Sequence, residues 1–136
     1  MKAPRLKTKK APILGTHSVV GFIPTKDFAR AKGFYKDTLG LRLTATDDFA
    51  LVFDSAGTMI RVVNVGAFHP ASYTILGWKV KDATQAVSAL TKRGVVFERF
   101  PGIEQDQHGI WNAPGGARVA WFKDSDGNIL SVSQHT

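Results

Sequence analysis

The chain contains no cysteine, which excludes disulfides, thiolate metal sites and thiol nucleophiles together. It also lacks any apolar run approaching the roughly 18 residues of a membrane span, so no membrane partner is expected. The opening stretch MKAPRLKTKKAPILG starts basic, but its apolar part is far too short for a secretory signal. Cytoplasmic residence is the default reading. Acidic residues are scarce, 11 against 18 Lys and Arg, for a net charge of +7. None stands among Lys2, Arg5, Lys7, Lys9 and Lys10, and setting those five aside leaves +2 for the rest of the chain. The basic character therefore belongs to a tail over residues 1–14, expected to be disordered, and not to a folded patch. Specific nucleic-acid binding gains no support, because no strand combines aromatic and basic residues on one face.

What is present fits one domain over residues 15–136. A chain of this size buries roughly two-thirds of its unfolded surface. Ser18 to Ile23 reads as a buried strand ended by Pro24. Asp27 is a helix N-cap, because its carboxylate can accept from the free N–H groups of the next turn. Phe28, Ala31, Tyr35, Thr38 and Leu39 follow near one helical face, and Gly40 supplies the left-handed stop. Strands are expected at Leu41 to Thr46, Phe49 to Phe53 and Met59 to Val65, the last two joined through Ser55 to Gly57.

The order then repeats. Tyr73 to Val80 reads as a strand, Asp82 as a second N-cap, Ala83, Ala86, Val87 and Leu90 as a helical face, and Gly94 as its stop. Val95 to Arg99 is the next expected strand, residues 101–114 are irregular with room for a short strand, and Arg118 to Lys123 with Asn128 to Ser133 forms a closing hairpin. The two cap aspartates stand 55 residues apart, and this doubling ties many local readings to one architecture. The fold class is α+β, with paired βαβββ modules over residues 15–67 and 71–135. Together they would form a curved half-barrel of roughly eight strands around a central cup, with two outer helices.

Asp27 with Phe34-Tyr35 and Leu39-Gly40-Leu41, followed by Phe122-Lys123-Asp124-Ser125-Asp126-Gly127-Asn128, resembles the vicinal-oxygen-chelate (VOC) superfamily. That group includes glyoxalase I, bleomycin-resistance proteins, fosfomycin-resistance enzymes, methylmalonyl-CoA epimerases and extradiol dioxygenases. The resemblance runs from about Thr16 to Gln134, and its motifs are structural: capping, helix docking and a turn needing positive φ at glycine. It implies a homodimer, and a divalent metal held by His and Glu on cup-facing strands, with open positions for a bidentate substrate. By that resemblance the ligand positions fall on Val19 or Val20, on Ile75 and on Ser131, none of them a normal ligand. The fourth strand, Met59 to Asn64, offers no carboxylate. No metal or other cofactor is expected at the inherited site.

Glu104, Asp106 and His108 alternate, which an extended segment would place on one side as a residual metal set. A solvated loop is the plainer reading. His17 is out of register for ligation, and His69 and His135 read as solvent-exposed. Asp124-x-Asp126-Gly127 is a hairpin turn, because its glycine comes too early for a calcium loop. Pro114-Gly115-Gly116 lacks the Lys-Ser/Thr of a phosphate loop, and no nucleophile elbow exists.

Leu76, Trp78 and Val80 should pack on the second helix, leaving Ile75, Gly77 and Lys79 toward the cup. Ser131 and Ser133 share a face by period two. Either Val119 and Trp121 or Arg118, Ala120 and Phe122 point in, while Phe100, His108 and Trp111 lie in the connection over the opening. Arg61 and Arg118 are the cations placed to grip a carboxylate. Such a lining suits a small organic ligand. Three functions compete: a metal-free binding protein; a metal-dependent lyase, isomerase or dioxygenase with non-standard ligands; and a metal-independent enzyme using Lys79, His108 or a carboxylate as acid or base.

Overall fold

A computed structural model describes residues 10–136; most of the basic tail therefore lies outside the described residues. The elements are β1 (Val20–Thr25), α1 (Phe28–Lys32, continuing as a π-helical turn over Gly33–Thr38), β2 (Arg42–Thr46), β3 (Ala50–Ser55) and β4 (Thr58–Asn64). The second set is β5 (Thr74–Lys79), α2 (Ala83–Lys92), β6 (Trp111–Asn112), β7 (Arg118–Lys123) and β8 (Ile129–Gln134). They build two mixed four-stranded sheets in the orders β1-β4-β3-β2 and β5-β8-β7-β6. In each, the first strand runs parallel to the last and the rest are antiparallel. The doubled α+β architecture read from the caps is the architecture of the molecule.

Both caps work as expected. Asp27 Oδ1 accepts from the Arg30 N–H at 3.1 Å and Asp82 Oδ1 from the Gln85 N–H at 3.0 Å. Gly40 and Gly94 end the helical segments at φ 80° and 95°, where a Cβ would be strained. Gly40 stands 13 positions after Asp27 and Gly94 only 12 after Asp82. The π-helical turn accounts for the additional residue.

The core lies on the helix side of both sheets. Ile23, Leu51, Phe53, Ile60 and Val62 from the first sheet and Ala120, Phe122, Leu130 and Val132 from the second form one buried cluster with Ala31, Tyr35, Ala83 and Val87. Burying each large side chain contributes roughly 1.5–3 kcal/mol. The helix α1 also reaches the other module: the Phe34 ring lies 6.4 Å from Phe122, and Tyr35 donates to Asp124. The modules are therefore joined through their helix sides, and the opposite sheet faces stay open.

Two local readings are corrected. Pro24 does not end the first strand, which runs from Val20 through Thr25. The strand is at the edge of its sheet, where a residue without an N–H is tolerated. Val95 to Arg99 is not a strand. The outer edge of β7 is divided between β6, pairing Trp111 with Val119, and a single bridge from Phe97 to Phe122. Only toward residues 120 and 121 do the two stretches compete for the same edge.

Candidate functional site

Strand registers decide which residues share the open faces. On the second sheet Gly77 pairs with Ser131, Lys79 with Ser133, Trp121 with Ser131 and Val119 with both Ser133 and Trp111. Gly77, Lys79, Ser131, Ser133, Val119 and Trp121 therefore stand on one face, opposite the buried Leu130, Val132, Ala120 and Phe122. Of the two alternatives for β7, Val119 with Trp121 is the one that faces away from the core.

Three aromatic rings gather on this face. Trp121 lies 6.0 Å from Trp111 at 30° between planes, and Phe100 meets Trp121 edge-on at 5.4 Å. The Gln105 amide holds the connection that carries Phe100 and Trp111. Its Oε1 accepts from the Phe100 N–H at 2.8 Å, and its Nε2 donates to the carbonyls of Glu98 and Gly109. Gln105 also bridges Trp111 through the backbone. Beside the rings, a Cβ on Gly77 would sit 2.5 Å from the Ser131 hydroxyl. The glycine is thus what gives that hydroxyl its room, and Ser131 itself is buried, 8% exposed.

The first sheet places Val20, Phe22, Met59, Arg61 and the buried Val52 on the face away from the helices, by the pairings Val20 with Met59 and Phe22 and Val52 with Arg61. Phe22 is 64% exposed, and Val20 and Met59 are also exposed. Sequence reading missed this apolar stripe by treating β1 as buried on both sides. Val20 to Ile23 is apolar throughout, so no polar alternation marked the open face. Arg61 lies 3.9 Å from Asp47. The backbone N–H groups of Phe49 and Ala50, both 2.8 Å away, hold the Asp47 carboxyl below its ordinary range.

Other sequence candidates go elsewhere. Ile75 sits where the β5–β8 register shifts, half-buried against the core rather than aligned with Gly77. Arg118 turns to the helix side, donating to the Thr84 hydroxyl of α2 at 2.9 Å. His108 shares a crevice with Val87 and Thr91 of α2, away from Trp111 and Trp121. Its segment is a turn and not an extended strand. Asp106 accepts from the N–H groups of His108 and Ile110, and the Gly109 N–H closes back on the Asp106 carbonyl. Glu104, Asp106 and His108 therefore do not line up. Desolvation acts to raise the Asp106 pKa, but the Ile110 and His108 N–H groups prevail and hold it below its ordinary value.

By the family resemblance a metal would need ligands at Val19 or Val20, at Ile75 and at Ser131. Val20 stands first in an unbroken β1–β4 register and Ser131 lies on the open face, yet two aliphatic side chains and one hydroxyl do not fit a divalent cation. Among the described residues no three His, Asp or Glu side chains come together as a metal-holding group. No described helix is long and apolar enough to cross a membrane.

Two βαβββ modules, each leaving one sheet face open, define a VOC-type protein. The chain belongs to the Glyoxalase/Bleomycin resistance protein/Dioxygenase superfamily, whose family model matches residues 16–132. It is 30% identical over 122 residues to the uncharacterized protein YraH of Bacillus subtilis (strain 168), covering 78% of this chain and 88% of that protein. A Bacillus anthracis protein attributed to the glyoxalase family superposes with TM-score 0.74 at 14% identity, covering 94% of this chain and 100% of the other. TnmS3, an antibiotic binding protein from Streptomyces sp. CB03234, superposes with TM-score 0.63 at 25% identity, covering 89% and 97%.

Proposed function

We propose that this protein binds a flat, largely apolar organic molecule on the open face of its second sheet and does so without the family's metal. The observation that carries the reading is the aromatic shelf of Phe100, Trp111 and Trp121, bordered by Ser131, Ser133 and Lys79. Stacked or edge-on aromatic contacts are worth about 0.5–1.5 kcal/mol each beyond buried area. The hydroxyls and ammonium supply direction to a ligand that the rings hold by its faces. The similarity to an antibiotic binding protein supports the same class of ligand. Val19 or Val20, Ile75 and Ser131 at the implied ligand positions argue against the inherited metal site.

The functional unit in this reading is a cytoplasmic homodimer. Phe22, Val20 and Met59 expose an apolar stripe on the first open face, and a second copy laid over the open faces would cover it and roof the aromatic shelf. The test combines sedimentation, elemental analysis and thermal shifts against a panel of planar aromatic metabolites and antibiotics. A bound compound at 100 times its Kd should add about 2.7 kcal/mol of stability, and Trp121→Ala should abolish the shift while leaving the fold intact. Stoichiometric metal that chelator removes together with ligand binding would overturn the metal-free reading. A panel that leaves the melting temperature unmoved would overturn the shelf.

A further inference from the structure

The internal doubling of the fold exposes a second concave site on the helix side, away from the aromatic shelf. Counted from the cap aspartates, Phe34 and Tyr35 of the first module correspond to Ala89 and Leu90 of the second, and Ile23 to Trp78. In the first module the Tyr35 ring fills the space between its helix and the partner module's hairpin; the residue is 1% exposed. α2 carries no aromatic residue at all. The matching space, between α2 and the end of β3, is left as a crevice of about 330 Å³.

Its walls are mostly apolar. Leu39 and Leu41 line one side, Leu90 the other, and the buried Phe122 and Val132 are also in the lining. Trp78 takes part from the strand, its indole N–H donating to the Ser55 hydroxyl at 2.9 Å. Among the described residues Arg93 is the one charged residue in the lining, and no acidic side chain answers it there. A single guanidinium N–H is engaged, with the Thr38 carbonyl at 3.1 Å, which leaves the fork able to meet a carboxylate.

We infer that this crevice is a second small-molecule site, for an aromatic carboxylate whose ring lies among Trp78, Leu41 and Leu90 and whose carboxylate meets Arg93. It is independent of the shelf on the opposite sheet face, so either site can fail without the other.

The probe is 2-naphthoate, titrated into 15N-labelled protein, with the three tryptophan indole N–H signals assigned by Trp→Phe variants. The Trp78 signal should move, while those of Trp111 and Trp121 stay still. Ala89→Phe puts a ring, the counterpart of Phe34, into the lining of the crevice, and should abolish the response. Ala89 is exposed, so the variant should fold, and Ala86→Leu serves as the second filling variant. Arg93→Gln should weaken naphthoate about tenfold and leave the neutral 2-naphthamide unchanged. The site is overturned if Trp111 and Trp121 move instead of Trp78, if both filling variants still bind, or if Arg93→Gln weakens acid and amide alike.

Discussion

The Tyr35 hydroxyl donates to Asp124 Oδ2 at 2.6 Å, across 89 positions of sequence, and so ties the first module's helix to the second module's closing hairpin. Asp124 also accepts from the N–H groups of Asp126 and Asn128 and from the Asn128 amide. Asp126 extends the link, accepting from the Thr25 hydroxyl at 2.6 Å and the Lys26 N–H at 3.1 Å. A turn motif thus doubles as the clasp between modules.

Tyr35→Phe should cost about 1–2 kcal/mol in urea denaturation, because it leaves a buried carboxylate short of one donor. Burial first, and then the Asp124 charge, raise the Tyr35 pKa far above its ordinary range. A raised folded pKa means that the neutral phenol's contribution is complete below the unfolded value near 10 and declines as pH rises beyond it. Native protein should therefore lose stability above about pH 10, and Tyr35→Phe should lose less over the same window.

Gly77→Ala should destabilise the second sheet or turn Ser131 away from the open face, since the new methyl would lie 2.5 Å from its hydroxyl. A cost of about 1–2 kcal/mol is expected. Adding Ser131→Ala should recover most of it. Additive effects in the double-mutant cycle would show that the two residues are not coupled.

Ala56 is the only non-glycine residue with positive φ among the described residues, at 49°, followed by Gly57 at 89°. It occupies the first central position of the two-residue connection between β3 and β4, which is the place for Asn in such hairpins. Ala56→Asn should stabilise by roughly 0.5–1 kcal/mol, read as a higher denaturation midpoint with an unchanged slope.

The depressed Asp106 pKa gives the Gln105 connection a pH signature. A lowered folded pKa contributes stability above the unfolded value near 3.9, and this is lost as pH falls through the folded value. Asp106→Ala should be less stable than native protein by about 1 kcal/mol at neutral pH. The gap should narrow below about pH 4. A gap independent of pH would mean that packing, and not the carboxylate, holds the turn.

Local chemistry carried most of the fold. Asp27 and Asp82 mark helix starts because a short acceptor beside free N–H groups acts within one turn. Gly40 and Gly94 mark helix stops, and Gly127 a hairpin turn, because only glycine enters positive φ freely. Their repetition was enough to define two modules, and counting from them put Val19 or Val20, Ile75 and Ser131 at the positions where the family resemblance implies metal ligands. The sheet faces were harder to assign. Arg118 and Trp121 alternate on one short strand, and only its pairing with β8 and the packing of α2 decided that the arginine turns to Thr84 and the tryptophan to the open face. His108 left the site because Asp106 bends its segment into a turn. The helix-side crevice depends on distances between residues as remote as Leu39 and Trp78. Caps and glycine stops act over a few residues and can be read from sequence; a face or a crevice is made by chain segments that meet only when the whole domain has packed.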